Sequence, residues 1–200
     1  MVLLPSMAAA FTATIISRAI FGRATIFDIP DLQLLPIGYY GIVILVALAS
    51  GLAGVIFNWG LLNIDRFYSL PCFKRPVQKI AFALICAGIL GYFLPEVLGG
   101  GNDLINHLAK APVSLQLLLL FLAGKLIFTL ISYGCGVPGG FFLPMLVIGA
   151  LCGSICAQIL IMLGWIEPAY ATNIMVVAMA ALFASSVRAP ITGTVLIMEM

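Results

Sequence analysis

Residues 133–144 read YGCGVPGGFFLP, four glycines and two prolines set inside a long apolar run. Gly134, Gly136, Gly139 and Gly140 carry no Cβ, so another backbone or an ion can approach the chain closely. Pro138 biases residue 137 toward an extended conformation and so helps end the helix before it. Pro144 suits the first turn of the next helix, where a missing N–H costs little. That helix would begin with the free amides of Gly140, Phe141, Phe142 and Leu143, at the positive end of its dipole. Such a terminus is a natural anion site. Neutral amides hold an anion more weakly than a full charge would, which suits conduction better than storage. The competing reading is a kink that lets helices pack closely. The density of glycine and proline favours a site.

Other candidate groups are few. Lys125 lies mid-segment, where it either faces a polar cavity or snorkels, and buried membrane charges are often functional. Arg188 stands alone between two apolar segments in ASSVRAPITGTVLIMEM. It could attract anions, although an interfacial arginine anchoring a loop is the commoner case. Pro190 fits the first position of the last helix, with Ser185 and Ser186 ending the segment before it. Glu167 and Glu199 lie near helix ends and receive no proton-relay role. His107, the single histidine, falls in a polar helix and reads as interfacial. Five cysteines (Cys72, Cys86, Cys135, Cys152, Cys156) sit in or beside apolar segments. Cys152 and Cys156 share a helical face, but no histidine or carboxylate is near in sequence to complete a metal site, so they read as packing residues.

The elements that must position these groups are membrane helices. The 200 residues are 64% hydrophobic and 8% charged, too little charge to cover a soluble surface. No charge occurs from Leu32 to Ile64, and Glu167 is alone between Lys125 and Arg188. Uncharged runs this long span bilayers as helices, whereas a barrel would alternate in short segments. A net charge of +2 gives no argument for a nucleic-acid partner. The first apolar segment, 2–20, lacks the basic start of a signal peptide and reads as a span. Further helices are expected at 36–64, 77–94, 102–110, 113–132, 141–163 and 169–184, and from Pro190 onward. A 29-residue second helix would reach about 43 Å, beyond the hydrocarbon core, so it must tilt or extend out of the bilayer. Lys74, Arg75 and Lys79 place their turn in the cytoplasm, and Arg18, Arg23, Asp28 and Asp31 then lie outside. Gly51–Gly54 and Gly149–Gly153 have the spacing of close helix contacts. The chain stops inside its last helix without a cap, which reads as part of a longer protein.

GCGVPGGFFLPMLVIGALCG closely resembles the motif GxGxPGGxFxPxLxxGAxxG of the CLC family of chloride channels and proton-coupled chloride exchangers. ALFASSVRAPITGTVLIMEM is similar to a later stretch of that family, and GGGNDLI and Lys125 also fit in order. The resemblance covers nearly the whole chain. It implies an all-α membrane fold with inverted-topology repeats and tilted, broken and re-entrant helices, here in part. Residues 1–34 would be the end of the first repeat with a connector, and 35–200 most of the second, in one transmembrane domain. It implies an anion held by the backbone amides of Phe141 and Phe142, with Gly140 shaping the approach and Gly136, Pro138, Gly139 and Pro144 shaping the motif. It implies a homodimer, with the first and last helices near the interface. The family's glycine-serine-glycine and Gly-Arg-Glu-Gly-Pro motifs do not occur in these residues. Its inner tyrosine and proton-path glutamate would fall outside them.

The expected function is therefore anion transport, by a channel or a proton-coupled exchanger, with chloride or a similar anion as cargo, protons as a possible partner and no cofactor or metal. A bacterial plasma membrane is the expected location, and the fragment alone is expected to be inactive. The alternative is a non-conducting membrane module that pairs with a full-length or split subunit. An intramembrane enzyme would need paired carboxylates, a Ser–His pair or a metal site, and the residues offer none.

Overall fold

The computed structural model describes residues 3–22, 32–70, 73, 75–110 and 113–199. The described elements are helical: α1 (Leu3–Phe21), α2 (Tyr40–Tyr68), α3 (Pro76–Phe93), α4 (Asn102–Lys110), α5 (Leu115–Gly134), α6 (Phe142–Met162), α7 (Ala171–Val187) and α8 (Pro190–Glu199). Short 3₁₀ turns precede α2, α4 and α7, at Ile37–Tyr39, Pro95–Val97 and Pro168–Tyr170. Five stretches are long and apolar enough to cross a membrane: Ile37–Tyr68, Pro76–Phe93, Leu115–Gly134, Phe142–Met162 and Pro168–Val187. α1 adds a shorter apolar stretch, Ala8–Ile20, and its described side chains are all exposed.

Helix α6 is the centre. Met145 through Leu151 are all buried, a run that no amphipathic helix would show. Helix α7 lies along α6 because both present small residues at the crossing. A Cβ on Gly149 would stand 2.8 Å from the Met179 Cα, and one on Gly153 only 2.6 Å from the Met175 Cα. Helix α2 packs on the other side of α7, where Ser186 Oγ donates to the Gly54 carbonyl at 3.4 Å. Gly54 is crowded by Leu182 and Ser185, whereas a Cβ on Gly51 would meet nothing within 4 Å. The expected pair of close-packing glycines in α2 is therefore one glycine. The other faces of α2, α3 and α5 are apolar and exposed, with Leu48, Trp59, Leu62, Leu84 and Tyr92 among them. Lipid or further protein must cover such faces.

Three helix ends differ from the sequence-based expectation, each for a local reason. Asp65 and Arg66 do not end α2; it runs another turn to Tyr68, whose hydroxyl donates to the Ile131 carbonyl at 2.8 Å. Gly134 completes α5 instead of opening the break, and its missing Cβ makes room for the Tyr68 ring, which a Cβ there would meet at 2.7 Å. Ser185 and Ser186 remain helical, and α7 closes only at Arg188, in the left-handed conformation with φ 60°. Helix α3 begins at Pro76, and the Arg75 amide donates to the Gln78 side chain at 3.0 Å. Lys74, Cys72, Arg23, Asp28 and Asp31, which entered the orientation and cysteine readings, lie outside the described residues.

Candidate anion site

Helix α5 ends, the chain loops through residues 135–141, and α6 starts at Phe142 with Phe141 as its N-cap. Gly136 adopts φ +82°, a conformation glycine takes without strain. The first helical hydrogen bond of α6 is donated by Met145 to the Phe141 carbonyl at 3.0 Å. Pro144 sits within the first turn and has no N–H to lose. The amides of Gly140, Phe141, Phe142 and Leu143 precede that first bond and donate to no carbonyl among the described residues.

The rings of the two phenylalanines turn away to opposite sides. Phe141 meets Tyr133 of α5 edge-on at 5.6 Å, and Phe142 meets Phe183 of α7 edge-on at 5.6 Å. Such contacts have a preferred geometry and pin the start of the helix from both flanks. The backbone N–H groups are left as the chemistry this segment offers.

These amides border a cavity of about 680 Å³ lined by α3, α5, the glycine loop after Val97 and the segment Val137–Pro144. Gly140, Phe141, Phe142, Pro138, Gly139, Pro144 and Lys125 all contribute to its wall. Gly136 and Arg188 do not; Gly136 shapes the turn behind it, and Arg188 is exposed at the end of α7. A Cβ on Gly140 would meet nothing within 4 Å, and one on Gly139 would meet only the Val137 carbonyl at 3.9 Å. These two glycines therefore keep space open. A packing kink would instead bring a neighbour against them.

Lys125 does not snorkel. Its side chain is 1% exposed, and its Nζ donates to the carbonyls of Val97 at 2.8 Å and Gly99 at 2.9 Å. Thr129, one turn on, donates to the Lys125 carbonyl at 2.7 Å. The part of the wall at Gly99 and Gly100 was not legible as part of a site, because its link to Lys125 spans more than two dozen residues. The run of three glycines is the signal that could have marked it. Of the remaining candidates, His107 lies 3.8 Å from Glu96 with both half-exposed. Among the described residues no group of three or more His, Cys, Asp or Glu could hold a metal ion.

Spanning helices packed around one that starts with bare amides, at a break between two apolar helices, define a polytopic integral membrane protein of all-α fold. The chain belongs to the voltage gated chloride channel family, whose model matches residues 1–200. It is similar to the H(+)/Cl(-) exchange transporter ClcA of Vibrio cholerae serotype O1 (strain M66-2), 34% identical over an alignment of 199 positions that covers 96% of this chain and 42% of the relative. The protein of the same name from Salmonella agona is 34% identical over 206 residues, covering 98% of this chain and 43% of that one. The solved structure of a slow cyanobacterial Cl-/H+ antiporter matches with a TM-score of 0.84 at 29% identity, over 94% of this chain and 44% of that one. The chain thus spans less than half the length of these relatives, and it shares their CLC-type helical fold. The names of these relatives describe transport, not catalysis.

Proposed function

We propose that this chain supplies one wall of an anion-transport pathway, with the amides of Phe141 and Phe142 as ligands for chloride or a similar anion and Gly140 keeping the approach open. The observation that carries this reading is the bare start of α6 beside Gly140, whose Cβ position is empty. In a low-dielectric interior an unpaired amide must find a partner, and an anion serves that need. The exchanger names of the relatives support anion transport with protons as the second partner. Residues 1–34 then belong to the end of a first repeat and 35–200 to a second, inverted repeat. The exposed faces of α1 and α8 are the proposed contact with a second copy, and lipid covers the rest. The bacterial sources of the relatives support a bacterial plasma membrane.

The test uses the complete polypeptide that carries these 200 residues, reconstituted in liposomes loaded with chloride. Gly140→Val places methyl groups in the open space without a steric conflict, so the protein should assemble normally and chloride efflux should fall at least about tenfold, the loss expected when a ligand is displaced from its donors. Unchanged efflux would remove the amide site from the pathway.

One observation favours a second reading: α1 presents all its described side chains outward, and the chain spans less than half of its relatives. A non-conducting module that pairs with another subunit would look the same. Co-purification with a separately expressed partner, combined with no efflux from the complete polypeptide alone, would favour it.

A further inference from the structure

A second group of residues converges on the start of α6, and it centres on Lys125. A lysine buried to 1% is expensive in a membrane protein. No described carboxylate forms a salt bridge with Lys125. Its partners are two backbone carbonyls, of Val97 and Gly99. An apolar side chain of similar length would fill the space at lower cost, so packing alone does not account for the charge.

The geometry beyond those carbonyls shows what the charge holds. Gly99 and Gly101 have φ of +66° and +87°, left-handed conformations that let the loop curl around the ammonium. A Cβ on Gly101 would stand 3.3 Å from Lys125 Nζ on one side and 2.5 Å from the Val147 Cγ2 on the other. A Cβ on Gly100 would stand 3.1 Å from Leu143 Cδ1. The loop is therefore a thin layer of backbone between the lysine and the first two turns of α6. Leu143 belongs to the group of bare amides, and Val147 lies one turn further on.

We infer that Lys125 is a positioning residue for the anion site: by clamping the carbonyls of Val97 and Gly99 it presses the glycine loop against Leu143 and Val147 and so fixes the start of α6. This rests on the amide site proposed above. Without the clamp the loop has no side chains of its own to hold it. Small displacements of donors weaken a site that works by alignment.

The experiment compares Lys125→Met with Lys125→Arg in the complete polypeptide. Two quantities are read: the chloride concentration that half-saturates efflux from liposomes, and hydrogen exchange over residues 97–101 and 141–147. Lys125→Met should raise the half-saturating concentration about tenfold, the equivalent of one hydrogen bond to a charged group, and should speed exchange in both segments. Lys125→Arg keeps the charge and donors and should restore both. A lower maximal rate with unchanged half-saturation and unchanged exchange would mark a lysine needed only for assembly and would overturn the inference. Should Lys125→Met fail to assemble, Val147→Ala loosens the loop from α6 while leaving the lysine in place. It should raise the half-saturating concentration and speed exchange over 141–147, and no change in either overturns the inference. If the unaltered protein moves no chloride, the transport reading fails, and the exchange measurement still decides whether Lys125 orders α6.

Discussion

Two glycine-rich stretches of α6 and its approach use the same residue in opposite ways. At the crossing with α7, Gly149 and Gly153 are crowded: the backbone of Met179 and Met175 occupies the space a side chain would need. At the break before α6, Gly139 and Gly140 have almost nothing near them. The first pair lets two helices approach, as small residues do in membranes, where packing replaces the hydrophobic drive between helices. The second pair holds protein away from a helix terminus. In the bare sequence both are small residues in an apolar run, and Pro138 and Pro144 are what set the second pair apart. A Cβ placed at each position separates them at once, and mutation should do the same.

The largest loss of stability is expected at the crossing. Gly153→Val would drive a branched side chain into the backbone of α7, which cannot yield as a flexible side chain can. Overpacking costs about 1–3 kcal/mol, with the upper end expected where backbone stands in the way. Expressed protein should aggregate or elute as misassembled species in detergent, and a normal elution profile would refute the close crossing. Gly136→Ala comes next. Its φ of +82° asks an alanine to adopt the left-handed region, at about 1–2 kcal/mol, and the Cβ meets no neighbour within 4 Å. The protein should assemble with a lowered melting temperature in detergent. Gly140→Val should leave that temperature nearly unchanged while removing chloride efflux, so that stability and transport part company at this one position.

The break was legible in the sequence because its signals are local. Prolines and glycines act on their own residue and its neighbour, so the break, the start of α6 and the row of bare amides followed from the order of residues 136–144, whereas α5 runs on through Gly134. The polar helix α4 was legible to the residue, since its polar and charged groups lie within it. What escaped depends on contacts distant in sequence. Lys125 finds its partners 28 and 26 residues away, and so its role resolves only once the glycine loop is folded back on α5. The rings of Phe141 and Phe142 are held by Tyr133 and Phe183, one of them 41 residues downstream. The end of α2 shifted because Asp65 and Arg66 looked like a boundary, while the buried Tyr68 ring and its hydrogen bond to α5 extend the helix.

The smallest effect is expected in α2, where Gly51 and Gly54 differ by less than one turn. Gly54 lies under Ser185 and the Leu182 carbonyl, and its own carbonyl accepts from Ser186. Gly51 faces open space. Alanine at Gly51 therefore meets no neighbour and removes the backbone freedom of a glycine in mid-helix, a gain of about 0.5–1 kcal/mol at most. Alanine at Gly54 places a Cβ 2.9 Å from the Leu182 carbonyl oxygen, which must move with α7. The pair is best read as a difference in melting temperature, measured side by side in the same detergent. Gly51→Ala should match or slightly exceed the unaltered protein, and Gly54→Ala should fall below it. Equal values would mean that α2 and α7 are not in the contact described. A loss at Gly51 would mean that another helix covers the face of α2 that is open here, which is where a second copy or the rest of a longer chain would pack.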